Sequence, residues 1–166
     1  MPPADLDRDI ARLAEQESRL RFTRFDLATA WDLGSHLKAA AAAHGVGLAI
    51  EVRLARETVF FYAMPGTGPD NADWIRRKRN TVELLQRSSY AVGRSLEREG
   101  QSLEAKLGLP TRDYASHGGG FPLRVDAVGC IGVVTVSGIP QREDHAMVVA
   151  SLAALCGIAP ADVALD

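Results

Sequence analysis

Two pairs of closely spaced strand-like segments constrain the fold of this chain most. Residues 46–54 alternate apolar with small or polar side chains, and the aromatic and β-branched segment 58–63 follows after three residues. Residues 121–126 alternate in the same way and precede the run 128–138, which is apolar on both faces. A period of two is typical of β-strands, and such short connections favour β-hairpins. An all-parallel sheet would need a crossover helix after each strand, so the pattern excludes that arrangement.

The predicted fold is therefore an α/β fold of the α+β type, with a single antiparallel sheet built from two β-hairpins and flanked by helices. Residues 4–18 have an amphipathic pattern and belong to an N-terminal helical arm that spans residues 1–20. A second helix begins after Asp26, a favourable N-cap, and ends at Gly45. Its predicted buried stripe consists of Leu27, Ala30, Trp31, Gly34, Leu37 and Ala41.

Three further helices are predicted between and after the hairpins. Asp70 or Asn71 caps a basic helix over residues 72–89, another covers residues 90–100, and the last covers residues 140–156. The basic helix has a predicted buried stripe that consists of Trp74, Ile75, Lys78, Val82 and Leu85. A lysine within an otherwise apolar stripe is the unusual member of this set.

Charge and composition limit the classes of partner. Lys+Arg 19 and Asp+Glu 21 give a formal net charge of −2, so the chain has no overall basic field that would attract nucleic acid or a membrane surface. The cluster RRKR at residues 76–79 would fan out around a helix and has no interleaved aromatic residues, so we do not predict nucleic-acid binding. The apolar run 128–136 is too short to span a bilayer. We predict one domain over residues 1–166.

Localisation is predicted to be cytoplasmic. Acidic residues from Asp5 onward interrupt the N-terminal segment, so we do not expect a secretory signal. Cys130 and Cys156 have no CxxC spacing and are interpreted as small buried side chains in a reducing compartment. A disulfide between them is the less favoured alternative.

The segment HGGGFPLRV, residues 117–125, decides which chemistry is open to the chain. An HGGG segment can form the oxyanion hole of an esterase, but the required G-x-S-x-G motif is missing from the sequence. The phosphate-binding glycine motifs are also missing, and these glycines precede a strand instead of a helix. No metal site is predicted, because the four candidate ligands lack the i,i+4 histidine spacing of a helical metal site: His117, Glu143, Asp144 and His145.

Two interpretations of the glycine-rich segment stay open. Gly118, Gly119 and Gly120 would let the backbone approach a flat ligand or another chain, forming a lip beside the His117 imidazole. Alternatively, the glycines only permit a turn with positive φ before the strand. His145 presents a similar choice, because it shares the inner stripe of the last helix and is either a core residue or a ligand.

Four blocks of the sequence resemble the GlcG/HbpS-like family, also called the haem-degrading domain family. The blocks are PGTGPDNADWIRRKRN, SSYAVGRSL, YASHGGGFPLRV and GCIGVVTVSGIPQREDHAMV, and the similarity extends over residues 5–155. The resemblance implies one antiparallel sheet flanked by helices, homo-oligomers, and binding of haem or a corrinoid in several relatives. It also implies a cleft at one end of the sheet that is lined by Gly119, Gly120, Phe121, Pro122, Gly132, Val136, Ser137, Gly138 and Asp144.

The first functional hypothesis is an oligomeric module that binds a small molecule. Its cleft would be formed by residues 117–122, Ser137, Gly138 and the start of the last helix, and would hold a flat anionic ligand such as haem. In this hypothesis the iron ligand is one of the two histidines nearest the cleft, and an arginine of the basic helix neutralises the propionates. The residues assigned to these two roles are His117 or His145 for the iron, and Arg76 or Arg79 for the propionates.

Two alternatives belong to other functional classes. In the first, the chain is an enzyme that degrades haem or acts on a small acid, with His145 and either Asp144 or Glu143 as acid–base groups. Neighbouring residues on a helix point in different directions, however, so Asp144 and His145 would not form a simple pair. In the second alternative, the chain is a non-catalytic assembly protein whose homo-oligomer is itself the function.

Overall fold

The computed structural model describes residues 3–166 and their side chains from residue 5 onward. Its elements are α1 (Pro3–Arg19), α2 (Leu27–Ala43), β1 (Ala49–Leu54), β2 (Glu57–Ala63), α3 (Pro69–Leu85), α4 (Ser89–Glu99), α5 (Leu103–Leu107), β3 (Gly120–Val125), β4 (Gly129–Ser137) and α6 (Gln141–Leu155). A short 3₁₀ turn, Pro160–Asp162, follows α6. Residues 1 and 2 of the predicted N-terminal arm lie outside the described residues.

The four strands form one antiparallel sheet in the order β2-β1-β4-β3. The predicted hairpins are the outer pairs of this order, β1 with β2 and β3 with β4, and the prediction of a single antiparallel sheet is confirmed. β4 pairs with β1 from Ala49 opposite Ser137 to Leu54 opposite Gly132. The C-terminal end of β4 therefore lies beside the N-terminal end of β1, near the centre of the sheet.

The two faces of the sheet are covered by different chemistry. α2 and α6 pack on one face, where Ile50, Val52 and Val136 join the apolar core. Side chains that alternate with these along β1 point to the other face, where Glu51 and Arg53 pair with Arg79 and Glu83 of α3. α1 packs against α4.

The predicted buried stripe of α2 was wrong at two positions. Leu27 and Trp31 are 67% and 65% exposed, whereas Leu33, which the stripe omitted, is fully buried. The difference has a steric cause, because the Phe60 ring of β2 lies against the helix, within 2.5 Å of where a Cβ on Gly34 would stand. The Trp31 ring packs edge-on against the same Phe60 ring, with a centroid distance of 5.6 Å, and stays at the surface.

The predicted start of α3 was also wrong by several residues. The helix begins at Pro69 with Gly68 as N-cap, and the Asn71 side chain accepts a hydrogen bond of 2.9 Å from the Gly68 N–H. Asn71 therefore caps the helix from its third position. Among the residues described, no helix combines the length and apolar character that crossing a membrane requires.

Candidate functional site

An open recess of about 260 Å³ lies where β4 ends and the first turns of α3 and α6 meet. Its wall comes from three elements and the loop before β3, so residues far apart in sequence share one small volume. We call it the Lys78 recess, and the side chains that define it are Asn71, Trp74, Lys78, His117, Ser137 and Asp144. Asp70, Gly138, Ile139 and Gln141 complete the lining.

Lys78 and Asp144 form a buried ion pair in this lining. Lys78 Nζ lies 2.9 Å from Asp144 Oδ2, and the two side chains are only 4% and 2% exposed. Burial lowers the pKa of Lys78, although the nearby Asp144 carboxylate opposes the shift. Burial likewise raises the pKa of Asp144, against the effect of Lys78. Desolvation therefore favours the neutral form of each partner.

The ion pair also holds three elements together. Lys78 Nζ donates a second hydrogen bond, of 3.0 Å, to the carbonyl oxygen of Val136 near the end of β4. Asp144 Oδ1 accepts from the backbone N–H of Ile139 at 3.3 Å. Through these contacts α3 is tied to the last residues of β4 and to the loop that leads into α6.

Two aromatic side chains form the rim of the recess. The His117 ring meets the Trp74 ring edge-on with a centroid distance of 4.8 Å. The Arg77 guanidinium lies over the Trp74 ring, 4.4 Å from its centroid. Burial lowers the pKa of His117, and the charges of Lys78 and Arg77 lower it further. The imidazole is therefore neutral at neutral pH, with unprotonated nitrogen available as an acceptor or metal ligand.

Polar contacts join the remaining parts of the wall. Asn71 Nδ2 donates to Ser137 Oγ at 3.3 Å, which connects the first turn of α3 to the end of β4. Gly118 N donates to Gln141 Oε1 at 3.2 Å, which connects the loop before β3 to the first turn of α6. The recess thus presents hydroxyl, amide, ammonium and imidazole groups within a small volume.

The three glycines of the HGGG segment face protein atoms. A Cβ on Gly118 would stand 2.1 Å from the carbonyl oxygen of Gln141, and one on Gly120 would stand 2.8 Å from Val82 Cγ2. Gly119 has a φ of +126°, and its Cβ would be 2.5 Å from the carbonyl oxygen of Val136. The space that the missing side chains leave is therefore filled by atoms of α3, α6 and β4.

The next two residues of that segment also point away from the recess. Phe121 is 1% exposed and belongs to the apolar core, where its ring lies 6.1 Å from that of His145. Pro122 is buried within β3. Of the site residues predicted from sequence, the structure brings together His117, Ser137, Gly138 and Asp144 in the lining of the recess.

His145 lies in the interior, on the inner face of α6, as its helical spacing predicts. Its Nε2 lies 2.8 Å from Gln16 Oε1, and its ring is 5.1 Å from that of Tyr90. Burial, followed by the charge of Arg142, lowers the pKa of His145 to about 3. Asp144 therefore faces the recess, whereas the neighbouring His145 faces the core.

The two arginines predicted to neutralise an anionic ligand have protein partners. Arg76 pairs with Asp73 and Asp113, at 2.9 and 3.0 Å. Arg79 donates from Nη1 to both carboxylate oxygens of Glu51, at 2.9 and 3.0 Å, beneath α3. Neither arginine lines the recess.

The sequence interpretation missed the central part of the site. Lys78, Trp74 and Asn71 were assigned to the structure of the basic helix, although they form the α3 side of the recess. One signal pointed to Lys78, namely a cation in an apolar stripe, which requires a buried partner. In residues 3–166, no group of three or more His, Cys, Asp or Glu side chains is arranged to hold a metal ion.

Comparison with known proteins connects this architecture to a family and to solved structures. Residues 25–153 match the family model described as "Haem degrading protein HbpS-like". A UPF0303 protein of Serratia proteamaculans is 49% identical over 154 residues, which are 93% of this chain and 96% of that protein. The UPF0303 protein R02983 of Rhizobium meliloti is 52% identical over 153 residues, 92% and 93% of the two chains.

Three solved structures share the fold. Ybr137w is 28% identical with a TM-score of 0.82, over 89% of this chain and 87% of that one. A double mutant of Streptomyces reticuli HbpS is 20% identical with a TM-score of 0.65, over 81% and 89%. A PduOC:heme complex is 18% identical with a TM-score of 0.64, over 75% and 89%. At 20% and 18% identity, the last two establish likeness of fold alone.

Proposed function

Because the chain belongs to the HbpS-like haem-degrading protein family, we propose that it is a small-molecule-binding domain whose ligand occupies the Lys78 recess. The observation that carries this proposal is the Lys78–Asp144 pair, a buried charge pair that lines an open recess. Desolvating two charges is costly, and stability alone does not require it, since apolar replacements of such pairs are often as stable. Ionisable groups whose pKa is perturbed by burial and by a charged partner within a cleft are more typical of functional sites.

The size and lining of the recess favour a small polar ligand. Its volume of about 260 Å³ is below the range of roughly 300–1,000 Å³ that is usual for drug-sized ligands. Asn71, Ser137 and His117 offer hydrogen-bonding groups in the lining of this volume. A compact molecule with a carboxylate, carbonyl or hydroxyl group matches these features.

Haem, the ligand that the family suggests, fits the described residues only in part. The neutral His117 imidazole at the rim would be the residue that ligates the iron. The positions beside Gly118, Gly119 and Gly120 are filled by the protein, however, so these glycines provide no slot for a planar ring. Arg76 and Arg79 are already paired with carboxylates, and propionates would have to compete for them.

Haem binding is therefore the second candidate, supported by His117 alone. Of the four histidines, His117 is the one in the lining of the recess. His145 is buried against Gln16 and would have to leave the core to reach iron.

Binding experiments separate the two candidates. We expect native mass spectrometry or thermal shift with a panel of short hydroxy and oxo acids to reveal a ligand whose binding is weakened by Asn71→Ala and Ser137→Ala. Haemin titration followed by Soret absorbance tests the second candidate, with His117→Ala as the variant and His36→Ala as the control. A saturable shift that is lost only in His117→Ala supports haem; a shift that survives in both variants indicates non-specific binding. The first candidate fails if no panel member binds.

We further propose that the chain forms homo-oligomers, as the family resemblance implies. The exposed side of α2 and the edge strand β2 carry large apolar side chains at one surface, among them Trp31 and Phe61. Single exposed apolar residues are common, but a contiguous group is typical of protein–protein contacts. A cytoplasmic location is part of the same proposal, and the two free cysteines are compatible with it.

A further inference from the structure

Lysine is rare in this chain, and one of its few lysines is buried. Of the 19 basic residues, only three are lysines, namely Lys38, Lys78 and Lys106, and the rest are arginines. Lys38 and Lys106 are exposed, whereas Lys78 is 3% exposed and has arginines on both sides in sequence. Arginine stays charged under all ordinary conditions, whereas a buried lysine can lose its proton and become a nucleophile. Lys78, the buried basic side chain of the recess, is therefore of the type that can become a neutral nucleophile.

The hydrogen bonds of Lys78 leave one direction at Nζ without a protein partner. Nζ has two acceptors, Val136 O at 3.0 Å and Asp144 Oδ2 at 2.9 Å. When Asp144 is a carboxylate, a neutral Lys78 amine donates its two hydrogens to these two acceptors, and its lone pair takes the remaining direction. Burial lowers the pKa of Lys78 and so increases the fraction of this neutral form.

We propose that Lys78 is a nucleophile that captures a small aldehyde or ketone in the recess as an imine. This inference rests on the proposed ligand recess and specifies its ligand class, a short carbonyl compound that also bears a hydroxyl or carboxylate group. The carbonyl carbon is attacked by Nζ, while Asn71, Ser137 and His117 are the groups available to the polar end of the molecule.

The reaction balances without an oxidant or a reductant. The lone pair of Nζ forms a bond to the carbonyl carbon, and the oxygen takes up a proton, which gives a carbinolamine. Loss of water then forms the C=N bond, so that one amine and one carbonyl yield one imine and one water molecule. The Asp144 carboxylate accepts the two protons that nitrogen releases in turn and passes them to the oxygen, which departs as water; burial raises the pKa of Asp144 and so favours its intermediate acid form.

Reductive trapping of the full chain tests this inference. The probes are glycolaldehyde and pyruvate, each with cyanoborohydride, and the readouts are intact mass and peptide mapping. We expect the adduct to form mainly on Lys78, in spite of its burial, and to exceed that on Lys38 and Lys106 several times over. The Lys78→Arg variant should lose this adduct, whereas a Lys38→Arg/Lys106→Arg variant should retain it.

Two outcomes would overturn the inference. One is labelling confined to Lys38, Lys106 and the N-terminal amine, which would show that the recess does not activate Lys78. The other is labelling of Lys78 only after urea has unfolded the chain. Because peptide mapping of the unmodified chain compares the three lysines directly, the result stands even if Lys78→Arg does not fold.

The same samples separate this inference from the proposed function. Lactate is close to pyruvate in size and charge but has a hydroxyl group in place of the ketone, so it cannot form an imine. If lactate raises the melting temperature while no probe is trapped on Lys78, the recess binds ligands and only the imine inference fails. If neither lactate nor any other small acid binds and no adduct forms, the proposed function fails as well.

Asp144→Asn provides a readout that a purely structural role would not change. The amide cannot relay a proton as the carboxyl group does, so we expect slower adduct formation on Lys78 when the rates are compared at high pH, where the amine is neutral in both proteins. Equal trapping rates in the two proteins would contradict the proton-transfer role of Asp144.

Discussion

Gln16 of α1 and His145 of α6 share a buried hydrogen bond of 2.8 Å across 129 residues of chain. The Gln16 amide nitrogen donates to the carbonyl oxygen of Val163 at 2.7 Å, so its oxygen must face the imidazole. His145 Nε2 is therefore the protonated ring nitrogen, and Nδ1 has no hydrogen-bond partner in the buried interior. A neutral histidine at this position holds the N-terminal helix and the C-terminal segment against α6.

The free energy of unfolding should fall in mild acid because of His145. Its pKa is about 3 in the folded chain and 6.5 in a model peptide, so between these values the unfolded chain binds more protons. The contribution of His145 is complete above pH 6.5 and is lost progressively toward pH 3, with a loss of about 2 kcal/mol by about pH 5. Urea unfolding of the original chain and of His145→Met, each at about pH 7 and about pH 5, measures this loss.

Exposed His36 is the matched control for this effect. His36→Met should keep the pH dependence of the original chain, whereas His145→Met should flatten it. Identical slopes in the two variants would show that groups other than His145 dominate the acid response.

Removing either member of the Lys78–Asp144 pair should destabilise the fold. Lys78→Met leaves a buried carboxylate without its cation, and Asp144→Leu leaves a buried ammonium, at a cost of about 3–5 kcal/mol each. The double variant Lys78→Met/Asp144→Leu should lose less than the sum of the two, because no unpaired charge is left buried. Chemical unfolding of the four proteins gives the coupling energy, and additive losses would contradict the electrostatic explanation.

Gly119→Ala should cost more than an alanine at another glycine with positive φ. Both Gly119 and Gly100 have φ values that disfavour side chains, +126° and +63°, but a Cβ at Gly100 meets nothing within 4 Å. A Cβ at Gly119 would stand 2.8 Å from Lys78 Nζ. We expect Gly119→Ala to lose about 1–3 kcal/mol more than Gly100→Ala, as overpacked sites do. Equal losses, measured by thermal unfolding, would mean that the backbone absorbs the contact.

Trp31→Ser should reduce the mass of the proposed homo-oligomer without destabilising the fold. The Trp31 side chain is 65% exposed, so its removal leaves no cavity in the core, and a loss of association would report on a contact between copies. Leu84→Ser is the control, because Leu84 is 54% exposed on α3, which covers the other face of the sheet. Light scattering that finds the same mass for Trp31→Ser as for the original chain would argue against this surface as the interface.

Local sequence signals predicted most of the fold correctly. Alternation with a period of two identified the strands, and Asp26 caps α2 as expected through a hydrogen bond of 2.9 Å to Thr29 N. These signals work because the groups concerned lie within a few residues of each other. The same local signals wrongly predicted that Trp31 is buried. They cannot show which side of an apolar helix stripe will pack against residues that are distant in sequence, such as Phe60.

The candidate site depended on partners that are far apart along the chain. The sequence by itself determined that Lys78 lies in an apolar stripe, that His145 faces inward from the last helix, and that residues 118–120 are free of side chains. Only the tertiary structure decided that Asp144, 66 residues away, neutralises Lys78, and that the space beside the three glycines belongs to Gln141, Val136 and Val82. The physical reason is that burial, pairing and pKa depend on which atoms replace water around a group, and those atoms come from other elements of the fold.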